Sequence, residues 1–122
     1  MDRARIEELF APFGPVVIKA MFGGFGVYAD ELIFAVCAGG EVYLKCDGET
    51  RDAFIAAGAR PFVYEARGKT VALPYYSLSE EAFDDEAALR RWCALALEAA
   101  RRPGASKGPA PRKRRVRVRP TA

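Results

Sequence analysis

The chain has 122 residues, with 19 Lys+Arg against 16 Asp+Glu, no histidine, and a formal net charge of +3. That length suits one domain, and 51% hydrophobic residues are enough to bury a core. The absence of histidine excludes Ser-His and Cys-His nucleophile pairs, histidine general bases and the commonest nitrogen ligand of metals.

No enzyme activity, catalytic residue, cofactor or metal is therefore expected. The net charge also divides along the chain. Residues 1–100 hold 10 basic and 16 acidic residues, net −6, whereas residues 101–122 hold 9 basic and no acidic ones, net +9.

The elements follow in chain order. Ile6, Leu9, Phe10 and Phe13 recur at helical spacing after Asp2, a capping residue, and Pro12, Gly14 and Pro15 stop the pattern. A first helix over residues 2–11 is predicted. From Val16 to Cys46, short apolar runs are interrupted at Gly23-Gly24, Asp30-Glu31 and Gly39-Gly40, which reads as a four-strand antiparallel meander.

The Gly39-Gly40 turn pairs Cys37 with Val42 and Ala35 with Leu44. Carried through the other two turns, the same alternation places Phe22, Phe25, Val27, Phe34, Val36 and Tyr43 on one apolar face. Gly24, Gly26 and Tyr28 fall on the other. Because both faces are apolar, either helices cover both or the first set is a face for a protein partner or a homodimer.

Asp47 can cap a helix over residues 49–57 that Gly58 and Pro61 end. Residues 62–66 and 69–73 flank Arg67-Gly68 as a second hairpin, which Pro74 is expected to end. Asp84, Asp85 and Glu86 suit the start of a last helix that buries Leu89, Trp92, Cys93, Ala96 and Ala100.

The expected fold class is thus α+β: about six antiparallel strands in the order α-β-β-β-β-α-β-β-α, with helices packed on the sheet. Residues 1–102 form the domain. Residues 103–122 are rich in Pro, Gly and basic side chains without apolar periodicity, and are expected to be a disordered basic tail.

Chemistry-bearing patterns are few. Gly23-Gly24-Phe25-Gly26 resembles a phosphate loop only superficially, because a strand rather than a helix follows it. Gly24, Gly26, Tyr28, Tyr75 and Tyr76 are candidates for a small-ligand pocket. Lys45 and Lys69 sit on strands without a nucleophile-base-orienter set around them.

Lys107, Arg112, Lys113, Arg114, Arg115, Arg117 and Arg119 could contact nucleic acid through phosphates, without base specificity. No apolar run approaches the ~20 residues that span a bilayer, and the first residues lack the apolar stretch of a signal peptide. The widely spaced Cys37, Cys46 and Cys93 read as three buried thiols of a reducing compartment, so a cytoplasmic location without membrane contact is expected.

Met21-Phe22-Gly23-Gly24-Phe25-Gly26-Val27-Tyr28, then Val42-Tyr43-Leu44-Lys45, Pro61-Phe62-Val63-Tyr64, Gly68-Lys69 and Pro74-Tyr75-Tyr76, with Asp84-Asp85, Leu89 and Trp92, resemble the TfoX N-terminal domain family over residues 2–101. The likeness is to its single-domain members. It implies a two-layer, secretion-chaperone-like fold that often dimerises, with no catalytic residues. It also implies regulation of competence and DNA transformation, as in the two-domain relatives.

The chain departs from the family pattern at Asp30-Glu31, where relatives usually carry Asp-Gly. A non-enzymatic regulatory or adaptor module is the resulting expectation. The alternatives are a purely protein-binding domain with an inert tail, and a small-ligand binder or enzyme.

Overall fold

The computed structural model describes residues 2–21 and 23–102. Its first helix, α1 (Arg3–Phe10), starts where the Asp2 carboxylate accepts the Arg5 backbone N–H at 2.9 Å. Ile6 and Phe10 lie one turn apart and are fully buried.

The chain then runs as a meander of β1 (Val17–Met21), β2 (Gly24–Ala29), β3 (Leu32–Ala38) and β4 (Glu41–Lys45). Ala35 pairs with Leu44 and Cys37 with Val42, the register set by the Gly39-Gly40 turn. Both glycines have positive φ, 60° and 79°, which a two-residue turn matched to strand twist requires.

The first turn lies elsewhere than expected. Met21 pairs with Gly24, so Gly24 already belongs to β2 and not to the turn. A turn at Gly23-Gly24 would set Met21 opposite Gly26, so the pairing register is displaced by two positions, which leaves the facing of β1 and β2 unchanged.

The facing of the two halves of the meander does change. Tyr28 pairs with Ile33, but Val27 pairs with Ala35, so Phe34 is an extra residue in β3 at a bulge. One added residue flips the alternation. The helix-covered face therefore combines Ile18, Phe25 and Val27 with Ala35, Cys37, Val42 and Leu44, and the other face combines Lys19, Met21, Gly26 and Tyr28 with Val36, Tyr43 and Lys45.

This corrects the expected six-residue apolar face. Val27 and Phe34 are fully buried in the core, and Phe25 packs against it. Val36 and Tyr43 lie across the sheet from them, and residue 22 is outside the described residues.

Helix α2 (Arg51–Ala56) crosses from β4 to the far edge of the sheet. There β5 (Pro61–Ala66) turns through Arg67-Gly68 into β6 (Lys69–Ser77), and β6 returns to pair with β4. The sheet order is β1-β2-β3-β4-β6-β5, antiparallel at every pairing.

Pro74 does not end β6. Between the pairs Pro61 with Tyr76 and Phe62 with Leu73, β6 carries two more residues than β5, and Pro74 falls in that irregularity. Its missing N–H therefore breaks no pairing, and its carbonyl accepts the Cys46 N–H at 2.9 Å.

A one-turn helix absent from the expected order, α3 (Glu81–Asp84), precedes α4 (Glu86–Arg101). Asp85 caps α4 by accepting the N–H groups of Ala87 and Ala88. The acidic run therefore serves the helix start. Leu89, Cys93 and Ala96 of α4 join Ile6, Phe10, Phe34, Leu44 and Phe54 in one core between the helices and the sheet.

Edge-to-face packing of Phe10 on Phe34, with ring centroids 5.6 Å apart, adds about 1 kcal/mol beyond the area buried. The architecture is thus two-layer α+β, with the described helices on one side of the sheet. No described helix is long and apolar enough to cross a membrane.

Candidate functional site: the helix-free face of the sheet

With the helices on one side, strand alternation alone dictates what the other side presents. Lys19 comes from β1, Tyr28 from β2, Val36 from β3, Tyr43 and Lys45 from β4, and Leu73, Tyr75 and Ser77 from β6. Phe62 arrives from β5 and stacks on Tyr43 with centroids 4.5 Å apart.

Two lysines lie over tyrosine rings. Lys19 Nζ is 4.8 Å from the centroid of Tyr28, and Lys45 Nζ is 5.4 Å from that of Tyr75. Sequence reasoning missed Lys19; its place in β1 opposite Gly26 is what brings it to Tyr28.

Lys45 is the unusual member. It is only 8% exposed, and no described carboxylate lies within ion-pair distance of its Nζ. Burial lowers its pKa from the ordinary lysine value, against the opposing influence of Cys46 and Asp47. Burial likewise pushes the Tyr75 phenol well above its usual range. The Tyr43 phenol is raised too, by burial and then by the neighbouring Glu41.

Charge is distributed unevenly over the domain. Most acidic side chains sit on helices and turns, and within the strands only Glu41 and Glu65 are acidic. Glu41 is paired with Arg60 at 2.6 Å, and Glu65 faces the helix side opposite Thr70. The helix-free face is therefore cationic, through Lys19, Lys45 and Lys69, on a domain that is acidic as a whole.

The five residues expected to form a pocket do not converge. Gly24, Gly26, Tyr28 and Tyr75 share the helix-free face, but Tyr76 points to the helix side and stacks on Phe54 at 6.0 Å. The glycines leave no cavity. A Cβ on Gly24 would sit 2.2 Å from the Cys37 carbonyl oxygen, and one on Gly26 would meet Ile33 and Met21 at 3.0 Å. Both are glycine because neighbouring atoms already occupy the space. A cleft of about 450 Å³ lies farther along, where Val17, Lys19 and Tyr28 meet the Asp30-Glu31 turn.

The three cysteines are buried free thiols. The expected basic contact residues, Lys107, Arg112, Lys113, Arg114, Arg115, Arg117 and Arg119, lie outside the described residues.

The sequence model of the TfoX N-terminal domain matches residues 8–100. The chain belongs to the TfoX N-terminal domain family. Protein Sxy of Escherichia coli (strain K12) is 26% identical to it over 94 residues, which is 77% of this chain and 45% of Sxy. The chain thus spans about half the length of the curated relative it matches.

The match to the TfoX N-terminal domain begins within α1 and takes in every strand, so the cationic sheet face lies wholly inside the family domain. The basic run at 112–119 lies outside it. At Asp30-Glu31 both residues have positive φ, 52° and 67°, so this chain places a glutamate in a conformation that suits glycine.

Proposed function

We propose that the chain is a non-enzymatic regulatory or adaptor module of the TfoX N-terminal type, related to the control of competence and DNA transformation. It works through a protein partner or a second copy of itself. The basic residues between 107 and 119 add weak nucleic-acid contact without base specificity. A cytoplasmic location accords with three free thiols.

The observation that carries this reading is the family match over residues 8–100. The cationic sheet face and the run Arg112-Lys113-Arg114-Arg115 support it as surfaces able to meet acidic partners or phosphates.

Loss of the gene in its native host should change the frequency of DNA uptake and the transcript levels of uptake genes. Unchanged transformation and unchanged transcripts would reject the reading. If the C-terminal segment contacts ~5 phosphates of duplex DNA, log K should fall with log salt at a slope of about −4.5. Replacing its arginines and lysines by serine should abolish that binding.

A further inference from the structure

We propose that the helix-free face of the sheet is a binding surface for single-stranded nucleic acid. It is distinct from the basic C-terminal segment and independent of whether that segment binds duplex DNA.

Three observations carry the proposal. First, the face interleaves ammonium groups with flat rings: Lys19 over Tyr28 on β1 and β2, Lys45 over Tyr75 on β4 and β6, and the Tyr43–Phe62 stack beside them. Single strands are held this way, with bases on aromatic side chains and phosphates on nearby cations, irrespective of sequence. Tyr28, Tyr43 and Phe62 are all partly exposed, which leaves ring surface for a base.

Second, Lys45 is 8% exposed without a described carboxylate partner, on a face whose one acidic strand residue is already taken by Arg60. A buried ammonium without a counter-charge is costly, and an incoming phosphate would supply that charge.

Third, the charge on the face decides between occupants. A second copy docked face to face would bring together two cationic surfaces, each carrying Lys19, Lys45 and Lys69, a like-charge meeting that specific interfaces avoid. Duplex DNA presents its bases edge-on in grooves and offers no free base plane to a flat sheet. A single strand offers both a phosphate and a base plane at every nucleotide.

The test uses the full chain with Arg112, Lys113, Arg114, Arg115, Arg117 and Arg119 replaced by serine, so that the C-terminal segment contributes little. Fluorescence anisotropy is read with labelled dT12, with a 12-base-pair duplex and with a poly-glutamate peptide. The serine variant should bind dT12 and bind the duplex at least about tenfold more weakly.

On that background, Lys19→Gln with Lys69→Gln, both at exposed positions, should flatten the salt slope for dT12 by about 1.4. Tyr43→Ala should weaken dT12 binding about tenfold. Lys45→Met should weaken it without lowering the melting temperature, so the lost binding is not lost fold.

Failure of the serine variant to bind dT12, or unchanged dT12 binding in the lysine variants, overturns the proposal. So does poly-glutamate binding as tightly as dT12, which would assign the face to an acidic protein. Duplex bound by the serine variant as tightly as dT12 likewise overturns it, since a single-strand surface needs a free base plane.

Discussion

Arg102, just past the end of α4, binds the Asp47 carboxylate with both Nε and Nη2, across 55 positions of chain. The same carboxylate accepts the backbone N–H groups of Glu49 and Thr50, at 3.0 and 3.1 Å, and so shapes the turn into α2. One side chain thus ties the last helix to the junction of β4 and α2.

Asp47→Ala should remove both roles. Loss of the turn contacts alone is expected to cost about 1 kcal/mol in urea unfolding at pH 7. The Arg102 guanidinium, with the Thr50 contacts, holds the Asp47 carboxyl below its ordinary pKa. Its contribution is therefore present above the unfolded carboxylate value near 4 and is lost as pH falls through the lower folded value. The gap between Asp47→Ala and wild type should narrow in acid; a gap independent of pH would refute the assignment.

At the β2–β3 turn, Glu31 sits at a φ of 67°, a conformation that disfavours side chains and suits glycine. Glu31→Gly should stabilise the protein by up to about 1 kcal/mol, less the extra freedom glycine gives the unfolded chain. Thermal unfolding checks this. A lowered melting temperature would mean that Glu31 makes a compensating contact.

Lys45→Met exchanges a buried ammonium for an apolar side chain of similar length. Stability at pH 7 should rise or hold, since the charge has no described counter-ion. Because the folded-state pKa of Lys45 is lowered, the unfolded chain binds more protons between that value and the ordinary lysine value. Wild type therefore recovers stability relative to Lys45→Met as pH rises through that window. A constant difference across it would show that the amine is not desolvated.

Burial pushes the thiols of Cys37 and Cys46 up to about 11 and that of Cys93 up to about 12. At pH 8 the thiolate fraction is very small, and access is closed as well. Native protein should resist a disulfide reagent at pH 8, and in urea all three thiols should react. Rapid labelling of one thiol in the native state would place it in a mobile part of the structure.

Gly24→Ala should be among the most damaging single-methyl changes, because the added carbon meets backbone, the Cys37 carbonyl, rather than a side chain that can turn aside. A cost of about 1–3 kcal/mol or more is expected. Gly26→Ala meets only the ends of Met21 and Ile33 and should cost less.

What was legible in the sequence is what local chemistry dictates. The Asp2 cap with Ile6 and Phe10, the Gly39-Gly40 register and the buried stripe of α4 each follow from spacing within a few residues. The bulge was not legible. Phe34 lies in an unbroken apolar run, Leu32 to Cys37, where no polar position marks which residue is extra.

That one residue decided which side chains share a face, so the candidate surface was mixed from both sides. Pro74 misled for a related reason, because a proline is excluded only where the ladder needs its N–H. Tyr75 and Tyr76 are neighbours in sequence, but adjacent strand residues point to opposite faces.

The Phe34 bulge acts on the sheet as a one-letter insertion acts on a reading frame. Everything on its β2 side is read out of phase with everything on its β3–β4 side, and the frame shift joins Lys19 and Tyr28 to Tyr43, Lys45 and Tyr75. Deleting Phe34 would remove an aromatic from the core, yet Val27 would still lie opposite Ala35 and Tyr28 opposite Ile33 in an unbroken ladder, so the facing of the sheet would survive. A residue gained or lost at any other place within β2 or β3 would undo that phase and should be tolerated far less well than one in the turns on either side.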